Sequence, residues 1–376
     1  MTTKDMKNAR ILWGICGIGL GHTLRQAPLI EFFAKNNRLV LFAYGESYAY
    51  YRETYFNRPN VSVCNVSVPF YPGNAEGLDF AAAALQTEKQ TNPTEINARA
   101  MAVAWEALRR PDLVVSDYEP VAAQYAYACD APLVTIDQQS KYLIGDFQES
   151  LQGSAFLDEQ MRLRMFFPKA AERLACSFFR VSKRPDARET VVLCPPVLRQ
   201  AILDLPQLPR GKRPSLLVYV SSQQPFGQSV DELVAIVKNV PGVDFNIFVK
   251  KADERNDDNI TLRPFGHRAF YDCLARCDGV VTTAGHGLLS EAMHLGRPVY
   301  AIPLPLYEQQ MNAQVIDSNG FGLARSKLDV DSLRLFVDDL PRFAEAIQND
   351  RAVLLRRPGQ RVIIDRLQKH LNEPRR

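Results

Sequence analysis

Several features that would sort a chain into a function class at once are missing from these 376 residues. No run of about 18 apolar residues occurs, so nothing reads as a membrane-spanning helix. The first ten residues are polar and of mixed charge, and the apolar stretch behind them breaks into glycines, so no secretory leader is read there. A surplus of one charge is also lacking. The 45 Lys and Arg against 42 Asp and Glu leave +3, too little for a protein whose main task is gripping nucleic acid. Low-complexity tracts are absent, and 46% hydrophobic with 10% aromatic residues excludes general disorder. The seven cysteines, at 16, 64, 129, 176, 194, 273 and 277, are odd in number and scattered. They make no disulfide framework and fit a reduced, cytoplasmic compartment. Cys273 and Cys277 have no matching His or Cys pair nearby, so packing explains them better than a metal.

What is present is an alternation of strands and helices. At roughly 100–200 residues per domain, the length suits two or three domains. Residues 10–17 read as a buried strand ending in glycine, 18–21 as a glycine turn, 23–35 as a helix and 38–43 as a second strand. That is a βαβ unit, which implies a parallel sheet with a right-handed crossover. Strands at 61–66, 112–116 and 132–137 and helices at 95–109 and 120–128 continue the pattern, while 73–92 stays unassigned. Pro195, Pro196, Pro206, Pro209 and Pro214 then crowd together as a linker. Beyond it, strands at 215–220, 245–249, 279–283 and 299–302 alternate with helices at 229–237, 269–276 and 288–295. The reading is a Rossmann-like α/β domain over 1–195, a linker over 196–214 and a second such domain over 215–355. The remainder, 356–376, carries an amphipathic helix that suits either lobe. Two such domains enclose a cleft, and ligands belong beyond the carboxyl ends of their strands.

Three turns in those places carry chemistry. The first holds Gly17, Gly19, Gly21, His22 and Arg25. Its glycine spacing followed by His departs from the dinucleotide fingerprint, although Glu46 lies near where a ribose acid would. A helix N-terminus drives an imidazole toward its neutral form, which a general base requires. His22 reads as that base or as a plain helix cap. Asp117, ending the 112–116 strand, is either the carboxylate that fixes the imidazole tautomer or the cap of the helix near Pro120. The second turn holds Gly285, His286 and Gly287 ahead of a helix, a site for phosphate. Glu291, one turn on, accepts from ribose hydroxyls or merely complements the helix dipole. His286 donates to phosphate or packs. In the third turn Glu308, Gln309 and Gln310 offer partners for sugar hydroxyls or form polar surface. Ser221, Ser222 and Gln223, after the 215–220 strand, lie within reach of a phosphate. Asp329 and Asp331 read as helix capping, not as a metal motif. Residues 161–184 mix cations with Phe166, Phe167, Phe178 and Phe179. A packed helix and strand is favoured there over a patch for an anionic membrane and a lipid-linked acceptor.

Assembled, these turns resemble the GT-B superfamily of nucleotide-sugar glycosyltransferases. The branch is that of the peptidoglycan UDP-GlcNAc transferase and the UDP-glucuronosyltransferase-like enzymes. The likeness is carried by 282–313, with Gly285, Glu291, the Gly296 to Pro298 turn and the 308–313 stretch in near register, and by 19–22 and 111–117. The segments 21–25 and 116–120 are similar to those of less characterised bacterial and archaeal glycosyltransferase-like proteins. The resemblance implies two Rossmann-like parallel-sheet domains with an interdomain cleft, the first binding an acceptor and the second a donor. It implies an inverting transfer with His22 as base and Asp117 as its partner, and Gly19, Gly21 and Arg25 on the acceptor-side loop. Gly285, His286 and Gly287 would face the diphosphate, Glu291 the ribose, and Glu308, Gln309 and Gln310 the donor sugar. Phe265 and His267 would edge the base, and Ser221, Ser222 and Gln223 would touch the diphosphate or approach the acceptor. No cofactor or essential metal is implied. The nucleotide-sugar, UDP by default, is a substrate, and the acceptor is a small molecule or a glycan or lipid-linked hydroxyl. Thr283 stands where plant-type members carry His. Two other readings are a nucleotide-sugar 2-epimerase and a non-catalytic nucleotide-sugar binding protein. The first needs acid/base groups on both faces of the sugar, where only His22 stands out. The His22–Asp117 pair speaks against the second.

Overall fold

The apolar run near the start forms β1 (Arg10–Ile15), and the glycine turn behind it leads into α1 (Leu20–Ala34). These come from a computed structural model, which describes residues 8–69, 73–74, 77–87, 92–147, 154–206, 211–220, 228–249, 254–265, 267–304 and 306–373. The pattern continues through β2 (Arg38–Ala43), α2 (Gly45–Thr54) and β3 (Val61–Asn65). The stretch left unassigned by sequence holds a short hairpin, β4 (Gly73–Asn74) with β5 (Gly77–Leu78), and α3 (Phe80–Thr87). Then come α4 (Pro93–Leu108), β6 (Leu113–Asp117), α5 (Pro120–Ala128) and β7 (Leu133–Asp137). A 3₁₀ turn (Gln139–Leu143), α6 (Ser154–Phe166), β8 (Glu172–Cys176) and β9 (Val192–Cys194) complete the first run.

Seven of these strands pair in the order β3-β2-β1-β6-β7-β8-β9, every pair parallel. Alternate residues of a strand point to opposite faces, and both faces of this sheet are covered. Ile11, Trp13 and Ile15 pack with Leu29, Ile30 and Phe33 of α1. Leu12 packs with Val40 and Phe42 on the other face, against α4 and α5. Burial on both faces is why the strands read as unbroken apolar runs.

The second run opens with α7 (Gln200–Leu203) and proceeds through β10 (Ser215–Val220), α8 (Val230–Lys238), β11 (Asp244–Val249), β12 (Arg255–Asp257) and β13 (Ile260–Pro264). It continues with α9 (His267–Arg276), β14 (Gly279–Thr282), α10 (His286–His294), β15 (Val299–Ala301), α11 (Tyr307–Ser318), β16 (Gly322–Ala324), α12 (Val330–Asp338) and α13 (Leu340–Asn349). The sheet order is β12-β13-β11-β10-β14-β15-β16, parallel except at the β12 edge. Leu216, Val218, Phe245 and Ile247 meet Leu233 and Val237 of α8 and Phe336 of α12 in its core. The last helix, α14 (Gln360–Asn372), places Ile363, Ile364, Leu367 and Leu371 in the core of the first sheet.

Two units result. One is Met1–Ser177, Val181–Arg199 and Pro358–Arg376, and the other is Phe178–Arg180 with Gln200–Arg357. Sequence texture does not betray the assignment of Phe178–Arg180 to the second unit. It rests on Arg180 N–H donating to the Val353 carbonyl and Leu355 N–H to that of Phe178, both at 2.7 Å. Both sheets reverse strand order between two central neighbours, β1/β6 and β10/β14. Loops leaving such a switch point diverge and make room for a ligand.

Three surface readings resolve at this level. Phe166, Phe167, Phe178 and Phe179 are all buried, so they present nothing to a membrane, and Arg162 and Arg164 pair with Asp158, Glu159 and Glu189. Asp329 caps α12 by accepting from Ser332 N–H at 2.9 Å. Among the described residues no helix is long and apolar enough to cross a membrane.

Candidate active site

At the β1/β6 switch point the parallel register sets Ile15 beside Asp117, and Cys16 N–H donates to the Asp117 carbonyl at 3.0 Å. Asp117 is therefore held against the turn that opens α1. His22 lies in the first turn of that helix, and its Nδ1 is 2.9 Å from Asp117 Oδ1. The His22 side chain keeps 15% of its surface exposed, while Asp117 has none. The cap reading of Asp117 is displaced, because Glu119 is the N-cap of α5, accepting from Val121 N–H at 2.7 Å and Ala122 N–H at 2.8 Å. Burial pushes the Glu119 carboxyl up to about 8.

The charge state of His22 differs from the sequence expectation. Burial favours its neutral form, but Cys16 and the Asp117 carboxylate outweigh burial and lift its pKa from 6.5 to about 10. A helix N-terminus is worth about 0.3–1 kcal/mol. An opposite charge within about 4–6 Å moves a pKa by about 1–3 units, or about 1.4–4 kcal/mol, so the dipole loses. Asp117 responds in the opposite sense. Burial opposes its ionisation, but Arg25 and then His22 hold it below 3.8. Burial likewise raises the Cys16 thiol, yet His22 and then Tyr44 outweigh it and bring it down.

The remaining first-turn residues have distinct places. Gly19 has φ +70, and neither it nor Gly21 would bring a Cβ within 4 Å of anything, so this part of the turn is open. Gly17 has a different reason: a Cβ there would sit 1.8 Å from the Tyr44 carbonyl oxygen, so it serves a backbone crossing with the β2–α2 turn. Arg25 is turned onto Asp117, with Nη2 2.7 Å from Oδ1 and 2.8 Å from Oδ2.

At the β10/β14 switch point the second unit offers backbone instead of side chains. Gly285 is the N-cap of α10 and has no side chain of its own to cap it. A Cβ at Gly285 or Gly287 would meet nothing within 4 Å, so space lies open before the helix N-terminus. Glu308 reaches this point from α11, its Oε1 accepting from His286 N–H at 3.4 Å. Gln309 Oε1 accepts from Leu304 N–H at 3.0 Å, and Gln310 is exposed. Glu291 is buried on α10. His286 packs: its ring lies 5.7 Å from that of Phe178, and Ser290 Oγ donates to its carbonyl at 2.7 Å. Phe265 stands in an aromatic group with Tyr219 and Phe270, each 5.3 Å away. Ser221, Ser222 and Gln223 lie outside the described residues, as does the side chain of His267, the first residue of α9.

A family model described as glycosyl transferase family 1 matches residues 9–341, nearly the whole of both units. The chain belongs to glycosyl transferase family 1. A relative described as an uncharacterised glycosyltransferase of Methanosarcina mazei is 23% identical over 342 residues, covering 83% of this chain and 84% of that protein. Among solved structures, the glycosyltransferase of kitacinnamycin superposes with a TM-score of 0.66 at 19% identity, over 97% of this chain and 100% of the other. The glycosyltransferase VinC, solved in complex with dTDP, gives 0.60 at 15% identity, over 96% and 99%. The fold is that of the GT-B glycosyltransferases.

Sequence reasoning missed several residues that shape the candidate site of this glycosyltransferase. Gln26 Nε2 donates to Asp117 Oδ2 at 2.9 Å and to the Ile136 carbonyl at 3.0 Å, while Trp13 Nε1 donates to Gln26 Oε1 at 3.1 Å. Tyr118 comes directly after Asp117 with φ +56, a conformation costly for a bulky residue and enriched at functional sites. Its ring stacks 6.4 Å from that of His22, and its hydroxyl accepts from Arg162 Nη1 at 3.3 Å. Asn312, fully buried, donates from Nδ2 to the Ala284 carbonyl at 2.9 Å and so steadies the turn before α10. The one readable signal was the position of Asn312 inside the 308–313 stretch.

Proposed function

We propose that this glycosyltransferase moves a sugar from a nucleoside diphosphate donor, of uridine or thymidine type, to a hydroxyl acceptor with inversion and without an essential metal. The first unit takes the acceptor and the second the donor. The observation that carries the reading is the 2.9 Å contact between His22 Nδ1 and Asp117 Oδ1 at the switch point of the first sheet. A ring held by Nδ1–H on a carboxylate keeps Nε2 as the acceptor, and the carboxylate supports the cation that forms when Nε2 takes a proton. His22 deprotonates the acceptor hydroxyl, whose oxygen attacks the anomeric carbon as the bond to the diphosphate breaks on the opposite face. The N-terminus of α10, with Gly285 and Gly287 leaving room, receives the departing diphosphate, and its dipole supplies the positive potential a metal would otherwise give. In this reading Glu291 holds the ribose, Phe265 the base, and Glu308, Gln309 and Gln310 the sugar. Because His22 holds its proton strongly, turnover rises with pH above neutrality.

The test is a hydrolysis screen with UDP- and dTDP-sugars. Turnover that falls about 10²- to 10⁴-fold in His22→Ala, while UDP or dTDP still raises the melting temperature, supports the enzyme. Saturable binding without turnover of any donor overturns it in favour of a binding protein.

A further inference from the structure

Asp117 makes more hydrogen bonds than a partner for His22 requires. Arg25 reaches both of its oxygens with Nη2, at 2.7 and 2.8 Å, and Oδ2 again with Nε at 3.3 Å, while Gln26 Nε2 adds a fourth contact at 2.9 Å. Arg25 itself is only 8% exposed, so its guanidinium is committed to the interior. It lies three positions after His22 on α1, which puts both side chains on one helix face, and its Nη2 lies 2.9 Å from His22 Nδ1 as well.

We propose that Arg25 is a positioning residue that divides the Asp117 charge, fixing the His22 tautomer and limiting how tightly the imidazole keeps a proton. This rests on the general-base reading of His22. One nitrogen cannot both donate to Asp117 and accept from Arg25. While the carboxylate is ionised, Nδ1 donates to it and Nε2 is the accepting nitrogen of the ring. Were that charge lost, Nδ1 would turn to the guanidinium and the hydrogen would move to Nε2, the wrong tautomer for a base. Compensation is the second effect. With His22 neutral, Asp117 and Arg25 sum to zero. Without Arg25, a buried carboxylate would face the imidazole with its full charge and lock it as the cation. The other groups facing His22 are Cys16, beyond the end of β1, and Tyr118, beyond β6. Arg25 also feels Cys176 of β8 and Asp137 of β7, and Asp137 is engaged by Ser140 N–H and Oγ.

The test is NMR titration of the full chain carrying isotope-labelled histidine. It has five histidines, and the His22 signal is the one lost in His22→Gln. Arg25→Met raises the His22 titration point by about one to two pH units, and the acidic limb of donor turnover moves up with it. Arg25→Lys, which keeps the charge, leaves both near their starting values. If Arg25→Met does not fold, the comparison moves to Asp117→Asn, which has no buried carboxylate to strand. That variant lowers the titration point and places the hydrogen on Nε2, and adding Arg25→Met raises the point again. A His22 titration that Arg25→Met leaves unmoved in either background overturns the proposal. A titration that moves while the turnover limb stays in place leaves Arg25 in its role and overturns the base reading instead.

Discussion

At the end of β6 the first unit places Asp117 among Arg25, Gln26 and His22, all side chains and mostly buried. After β14 the second unit places Gly285 and Gly287, backbone with open space around it. Leaving aside the β12 edge and β9, the parallel strands follow the same order around each switch point, so the contrast comes from the residues that occupy the turn there. A base needs a set tautomer and a tuned proton affinity, which demands buried, mutually bonded groups. Backbone N–H groups at a helix start, by contrast, attract an anion without any side chain of their own. One site is therefore sensitive to loss of a charge, the other to added bulk.

That contrast is sharpest at Asp117→Ala, which strands Arg25 in the interior without its partner. A loss of about 3–5 kcal/mol is expected, read by urea unfolding, and a loss below about 1 kcal/mol would mean that the network contributes little to the fold. The glycines separate the units next. Gly17→Ala drives a methyl onto the Tyr44 carbonyl and costs about 1–3 kcal/mol. Gly287→Ala meets nothing and stabilises α10 by about 0.5–1 kcal/mol, yet reduces the melting-temperature rise with UDP or dTDP. Equal effects of the two substitutions on unfolding would erase the distinction between a packing glycine and a ligand-approach glycine.

Acid titration of the Asp117→Asn pair isolates the first site. The Asp117 pKa is lowered in the fold from 3.8. Its contribution to stability is therefore full above that value and disappears as pH falls through the lowered folded value. Urea midpoints between about pH 5 and pH 2 should drop less steeply in Asp117→Asn than in the unmodified chain. The smallest effect belongs to a helix start that carries none of the residues assigned to either site. Asp329→Ala removes the α12 cap and costs about 1 kcal/mol, with donor turnover unchanged. A loss of turnover there would contradict the plain capping role.

Both sheets were legible because a parallel strand buried on two faces writes a short apolar run, and the glycine or carboxylate that ends it marks the turn where ligands bind. His22, Asp117 and Gly285 were placed at such turns that way, and the structure has them there. The resting proton affinity of His22 was not, because the expectation set the charge state from the helix end and used the Asp117 carboxylate, 95 residues away, for the tautomer and the cation formed in turnover. Arg25 was read as part of the acceptor loop, since nothing local shows that its guanidinium turns inward. Tyr118 left no trace either: its positive φ is imposed by surroundings, not by its own preference.

By itself, then, the chain determined its alternation of strands and helices, its two sheets, and the turns where chemistry sits, because these depend on periodicities and glycine positions within a few neighbours. Only the folded arrangement decided which polar groups meet. The Asp117 network draws on α1, β6 and the end of β7, and ties Gln26 to Trp13 of β1. Pairings between groups that distant in the chain depend on strand order and register, which no local pattern encodes.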